Sequence, residues 1–234
     1  MKSNKAKKIS RSKVILEVRD LSKKYRDGKE PRDVLTKVKF SVFAKDFIGI
    51  IGPSGSGKST LLNCLTGIED PDSGLIYFNE KNFSELTLNE KSAIRSKEMG
   101  FVFQENNLVE FLTVRENLGL KLQLLGKGSL DVKKRIDEII DEFEIKDLIS
   151  KNLSDLTYYE SQLIALAIAF TNNPSIVFMD EPSAKMSSEQ KKMFFDKVTH
   201  IHSVKDVAII IFSHDAGTAM SVSKVIRLEN GKII

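Results

Sequence analysis

Gly52-Pro-Ser-Gly-Ser-Gly-Lys-Ser-Thr60 meets every fixed position of the G-x-x-x-x-G-K-[ST] phosphate-binding pattern. Its flanks are those the pattern requires. Phe47-Ile-Gly-Ile-Ile51 before it is an unbroken apolar run, suited to a buried parallel strand. Leu61-Leu-Asn-Cys-Leu65 after it is apolar at helical spacing. Gly52, Gly55 and Gly57 let the backbone curl, so that successive N–H groups converge on one anion-sized concavity. The following helix adds the positive end of its dipole. Ser54, Ser56 and Thr60 complete the expected loop contacts. Lys58 is expected to reach the β- and γ-phosphates, and the Ser59 hydroxyl to hold Mg²⁺. The ligand this stretch implies is a nucleoside triphosphate.

The chain is 234 residues long, 29% charged and 41% hydrophobic, which describes a soluble globular protein with one large domain. Its longest apolar runs, Leu163 to Phe170 and Val207 to Phe212, fall far short of the about 20 residues a membrane span needs. The first residues are basic, but no apolar segment follows as in a signal peptide, so the expected compartment is the cytoplasm. Residues 1–13, with Lys2, Lys5, Lys7, Lys8, Arg11 and Lys13, read as a solvated, disordered tail carrying much of the +4 net charge. Cys64 is the only cysteine, which excludes an internal disulfide; its helical position points to buried packing.

The folded part begins at Val14 and runs to residue 234. Val14 to Val18 and Leu35 to Val42 read as strands, with Tyr25-Arg-Asp-Gly28 a turn between them that presents an aromatic ring. Asp70-Pro-Asp-Ser-Gly74 is a turn cluster, Leu75 to Phe78 a strand, Glu90 to Lys97 a polar helix and Gly100 to Phe103 a further strand. From Glu105 to about Leu156 the pattern is helical, with Val132, Ile136, Ile139, Ile140 and Phe143 on one helix face. Leu163 to Phe170 reads as a buried helix. Ser175 to Met179 and Val207 to Phe212 are strands, and Val225 to Ile234 a closing hairpin around Asn230-Gly231. Strands alternating with helices around the phosphate loop give an α/β fold, a P-loop NTPase with a mostly parallel sheet and an inserted helical subdomain.

Ile176-Val-Phe-Met179 followed by Asp180-Glu181 has the form of a Walker B strand. A carboxylate at the carboxyl end of a buried parallel strand lies in the ligand crevice of such sheets. There Asp180 could hold Mg²⁺, and Glu181 could polarise a water in line with the γ-phosphate. Lys58 and Asp180 lie far apart in the chain, unlike the close spacing of small GTPases. The wide gap with a helical insertion resembles the ATP-binding cassette (ABC) family, and further motifs fall in that family's order. The resemblance adds an antiparallel β subdomain to the fold and implies that Tyr25 stacks on adenine. It also makes Gln104 the Q-loop glutamine that links metal and γ-phosphate to the helical subdomain, and His214 the switch histidine that touches the γ-phosphate. Gly52 to Asn63, Ile94-Arg95, Gly100 to Gln104 and Leu112-Thr-Val-Arg-Glu-Asn117 look most like the branch of lipoprotein-releasing, macrolide-exporting and cell-division ATPases. His200 and His202, two apart in a polar region, read as solvent-facing.

Two family motifs are altered. Leu156-Thr-Tyr-Tyr-Glu160 stands where the family has Leu-Ser-Gly-Gly-Gln or Glu. Thr157 can still cap the helix, but Tyr158 and Tyr159 should obstruct close approach to a nucleotide on an opposing subunit. Leu163 stands in place of the usual arginine, and Ser187 in place of the D-loop aspartate. The residues serving nucleotide on the same subunit are intact, and those serving the opposite subunit are changed. That asymmetry favours a heterodimer with another ABC ATPase over a homodimer with two poor sites. The resemblance implies an ATPase driving a separate integral membrane permease from the inner face of the cell membrane. A nucleotide-binding regulatory module with little turnover is the alternative. No basic patch with interleaved aromatics lies outside the tail, which argues against nucleic acid as a partner.

Overall fold

The structure is a computed structural model and describes residues 13–27, 30–105 and 107–234. The basic tail, apart from Lys13, and Gly28 of the expected turn lie outside the described residues. The strands are β1 Val14–Asp27, β2 Glu30–Phe43, β3 Phe47–Ile51, β4 Ser73–Phe78, β5 Lys81–Asn82, β6 Met99–Val102, β7 Ile176–Asp180, β8 Ala208–Ser213, β9 Lys224–Glu229 and β10 Lys232–Ile233. The helices are α1 Lys58–Thr66, α2 Leu88–Glu98, α3 Val114–Leu124, α4 Ser129–Phe143, α5 Tyr158–Ala169 and α6 Ser188–Val204.

Two sheets form. The larger has the order β10-β9-β3-β8-β7-β6 and is parallel except at its β10 edge. The smaller, β2-β1-β4-β5, is antiparallel. Every residue of β8 is buried, as a parallel strand covered on both faces requires. Alternate side chains divide between two cores. Ile209 and Ile211 of β8, with Val177 and Met179 of β7, face the helices α3 to α6. Ile210 and Phe212, with Ile176 and Phe178, face α1 and the antiparallel sheet. The P-loop helix is thus held between the two sheets.

The expected turn at Tyr25 is corrected by the structure, because Tyr25, Arg26 and Asp27 belong to β1 and pair with Arg32, Pro31 and Glu30. The β1–β2 pairing shifts register at several points between Val14 and Lys24. Each shift breaks the alternation of inward and outward side chains, so the period-2 signal does not carry past Val18 of β1. The inserted region also differs from a continuous helical stretch. Its helices begin at Val114, where Thr113 and Glu116 form a reciprocal capping box. The preceding loop is held by Asn117, which is buried; its Oδ1 accepts from Val109 N at 2.8 Å and its Nδ2 donates to the carbonyls of Val109, Leu112 and Thr113. His202 is half-buried rather than solvent-facing. Its ring lies 5.1 Å from that of Phe47, and Nε2 is 3.1 Å from the Lys45 carbonyl. Burial lowers its pKa, so it is a neutral packing residue of α6.

Phe178 is buried at the centre of β7, with its ring stacked on Phe101 at 5.8 Å. Phe178→Ala should remove about 3–5 kcal/mol of stability through the lost burial and the cavity. Urea unfolding would show this as a lower midpoint at unchanged slope.

Candidate functional site

Parallel pairing aligns the carboxyl ends of four strands. Ile51 pairs with Ser213, Asp180 with Phe212, and Val102 with Met179. The segments that leave these ends therefore share one rim, where ligands of open α/β sheets bind. A cleft of about 650 Å³ opens there. One wall is the loop and the start of α1: Ser54, Gly55, Gly57, Lys58, Ser59 and Thr60. The other is Gln104, Asp180, Glu181 and His214, and Arg32 and Val34 close the side toward the antiparallel sheet.

Three of the expected site residues do not line this cleft: Gly52, Ser56 and Tyr25. Gly52 has a negative or extended φ, so it is not needed for the curl of the loop. Its requirement is space, because a Cβ there would lie 2.0 Å from the Leu228 carbonyl oxygen of β9. Gly57 does need its conformation: φ is 103°, in the left-handed region, where the chain turns into α1. Ser56 is buried, and its carbonyl accepts from the Gly231 amide at 3.0 Å. The Asn230-Gly231 turn thereby backs the loop, and the Gly231 carbonyl in turn accepts from Thr36 of β2 at 2.8 Å. Tyr25 stands on β1 directly opposite Arg32, so the two side chains share one sheet face. Its hydroxyl donates to Glu69 Oε2 at 2.6 Å, which holds the ring beside α1.

Lys58 is buried, and its ammonium donates to the carbonyls of Gly52 at 2.7 Å and Pro53 at 3.0 Å. An ammonium has three donors, so this geometry orients the charge and leaves capacity for an anion. Across the cleft, burial raises the Asp180 pKa; the neighbouring Glu181 charge raises it further and Lys58 acts the other way. Glu181 has φ 46°, an uncommon conformation for a residue with a side chain. Its Oε1 accepts from the His214 amide at 2.8 Å and lies 2.7 Å from His214 Nδ1. Ser213 Oγ donates to Oε2 at 3.3 Å. Glu181 and His214 are thus joined into one unit at the ends of neighbouring strands.

The altered motifs are well-formed helix starts. Thr157 caps α5, its hydroxyl accepting from Glu160 N while Glu160 bonds back to Thr157. Glu160 also pairs with Lys151 at 2.5 Å, and these contacts pull its pKa down to about 2. Ser187 caps α6 in the same way, with Gln190 as its reciprocal partner. Arg32 and Val34 are cleft residues that the sequence did not single out, because nothing in a bulged hairpin marks which side chains face the loop. Cys64 is buried, and its thiol is pushed up to about 12 by desolvation.

Asp180 ionises less readily in the fold than in the unfolded chain, so near neutral pH its charge opposes folding. Asp180→Asn should raise the melting temperature of the nucleotide-free protein, by about 2–4 °C if about 1 kcal/mol is recovered. The same variant should shrink the further rise produced by Mg-ATP. Glu160 has the opposite sign. Its folded pKa is depressed, so its contribution is present above the ordinary carboxylate range and is lost as pH falls toward about 2. Glu160→Gln should therefore lower the melting temperature at pH 7 and converge on the wild type in acid.

Comparison with known proteins agrees with this geometry. Residues 35–184 match the family model described as ABC transporter. The lipoprotein-releasing system ATP-binding protein LolD of Buchnera aphidicola is 33% identical over 94% of this chain and 96% of its own length. The uncharacterized ABC transporter ATP-binding protein YvcR of Bacillus subtilis is 32% identical over 93% of this chain and 85% of its own. Among solved structures, the dimeric ATP-binding cassette MJ0796, in a post-hydrolysis state bound to ADP and Pi, superposes with a TM-score of 0.84. It is 28% identical and covers 94% of this chain and 96% of its own. With its phosphate loop, two sheets and inserted helices, this chain belongs to the ABC transporter family as an ATP-binding subunit.

Proposed function

We propose that the chain hydrolyses ATP as a subunit of a membrane ABC transport or mechanotransmission complex, and that closure of an ATPase dimer drives a separate permease. The observation that carries this reading is the convergence of Lys58, Ser59, Gln104, Asp180, Glu181 and His214 on one cleft. In it, the loop amides and Lys58 bind the phosphates, and Tyr25 stands on the same sheet face as Arg32, where an adenine ring would enter. Glu181 takes the proton of the attacking water, and His214 orients Glu181 and faces the γ-phosphate.

Ser59, Asp180 and Gln104 line the cleft together and fit a magnesium ion. The half-buried, charge-crowded Asp180 carboxylate is the kind of group a cation relieves. Among the described residues no cluster of three or more His, Cys, Asp or Glu could hold a metal alone. That suits Mg²⁺, which takes one or two protein ligands and completes its shell with phosphates and water. When bound, the ion supplies charge neutralisation of the phosphates.

No helix among the described residues is long and apolar enough to cross a membrane, so membrane attachment falls to the partner. A groove of about 740 Å³ on the helical region, lined by Leu108, Phe111, Leu112, Leu153 and Leu156, offers the docking surface. Phe111 is 88% exposed there, a large apolar side chain in search of a cover. The substitutions at Tyr158, Tyr159 and Ser187 favour pairing with a different ATPase subunit over self-pairing, with the chain on the cytoplasmic face. They also motivate the alternative of a binding module with little turnover.

Glu181→Gln separates the readings. ATP affinity measured by calorimetry should persist, while phosphate release falls by about 100-fold or more. Phosphate release equal to that of the wild type would reject Glu181 as the base. A wild type that binds Mg-ATP without turning it over, alone or with a partner ATPase, would leave the regulatory module.

A further inference from the structure

Tyr158 stands where the family motif has a glycine, and the structure gives its side chain a task inside its own subunit. The hydroxyl donates to the Gln104 carbonyl at 2.9 Å. It accepts from Gln162 Nε2 at 3.2 Å, one helical turn further along α5. Gln162 is fully buried, and the same Nε2 reaches the carbonyls of Phe103 at 2.9 Å and Gln104 at 3.2 Å. Two successive carbonyls after β6 are therefore held by the start of α5. The face of the Tyr158 ring receives the Lys185 ammonium at 5.7 Å from its centroid. Lys185, four residues beyond Glu181, also pairs with Glu105 at 2.6 Å. One aromatic side chain thus joins the start of α5, the segment after β6 and the segment after β7.

The joined segment carries Gln104, which lines the cleft opposite the phosphate loop. With its own carbonyl and the preceding one anchored, rotation of the Gln104 backbone is restricted, and so is the direction in which its side chain enters the cleft. Glycine at residue 158 could make neither the hydroxyl bond nor the ring contact.

We propose that Tyr158 is a positioning residue for Gln104: it fixes the backbone that aims Gln104 at the bound nucleotide, with Gln162 and Lys185 holding it in place. Its substitution for glycine couples the signature helix to this subunit's own nucleotide. This rests on the reading of the cleft as an ATPase site.

Tyr158→Phe removes one oxygen and keeps the ring. Deuterium exchange over residues 101–105 of the nucleotide-free protein should speed up, with the melting temperature little changed. In single-turnover hydrolysis the rate should fall about tenfold while ATP affinity stays within about twofold, as loss of alignment without loss of binding predicts. In a Gln104→Ala background, adding Tyr158→Phe should cost nothing further, because the residue it positions is gone. Unchanged exchange, an unchanged rate, or the same tenfold loss in both backgrounds would overturn the proposal. A wild type without turnover would defeat the ATPase reading, and the exchange measurement would still decide whether the tyrosine holds the segment.

Discussion

Parallel hydrogen-bond register between β3, β8, β7 and β6 is the constraint on which the molecule depends. Once Ile51 is level with Ser213, and Asp180 with Phe212, the groups that follow each strand are delivered to one rim without further guidance. A slip of one residue would turn every alternate side chain to the wrong core and carry Asp180 away from Lys58. The buried faces of β7 and β8 resist that slip, since each strand is apolar on both sides and its two faces pack against different cores. The chemistry at the rim is therefore specified by packing well away from it.

The rim itself is costly to fold. Asp180 and Glu181 place two carboxylates side by side, one of them substantially desolvated, opposite a single buried ammonium. Glu181 adds a left-handed backbone. Groups held this way are stable because their surroundings leave no alternative: Glu181 is fixed by Ser213 and His214, and Lys58 by the carbonyls of its own loop. Such an arrangement trades fold stability for readiness to meet a polyphosphate and its cation.

Much of this was legible in the sequence where a residue type has only one physical use. Gly57-Lys58-Ser59, with an apolar run on each side, admits little besides a strand, an anion loop and a helix. The acidic pair after Ile176–Met179 and the histidine after Ala208–Ser213 were equally readable, because buried parallel strands are continuous apolar runs. The inner half of the β1–β2 hairpin was readable too, but its outer half was not, since the bulges interrupt the alternation and that half is charged. For that reason nothing in the sequence marks Arg32 and Val34 as cleft residues or separates Tyr25 on β1 from a turn. The helix caps Thr157 and Ser187 could be read as capping boxes, but the reach of Tyr158 to Gln104 spans 54 residues and has no local trace.

The β9–β10 hairpin touches the phosphate loop directly. Leu228 lies against Gly52, and the Gly231 amide holds the Ser56 carbonyl. The hairpin is a buttress: it supports from behind a loop that sits about 175 positions earlier in the chain. Damage to β9 or to the Asn230-Gly231 turn would reach the anion cradle through direct mechanical support, and a lesion remote in sequence from the loop would present as a defect in gripping nucleotide.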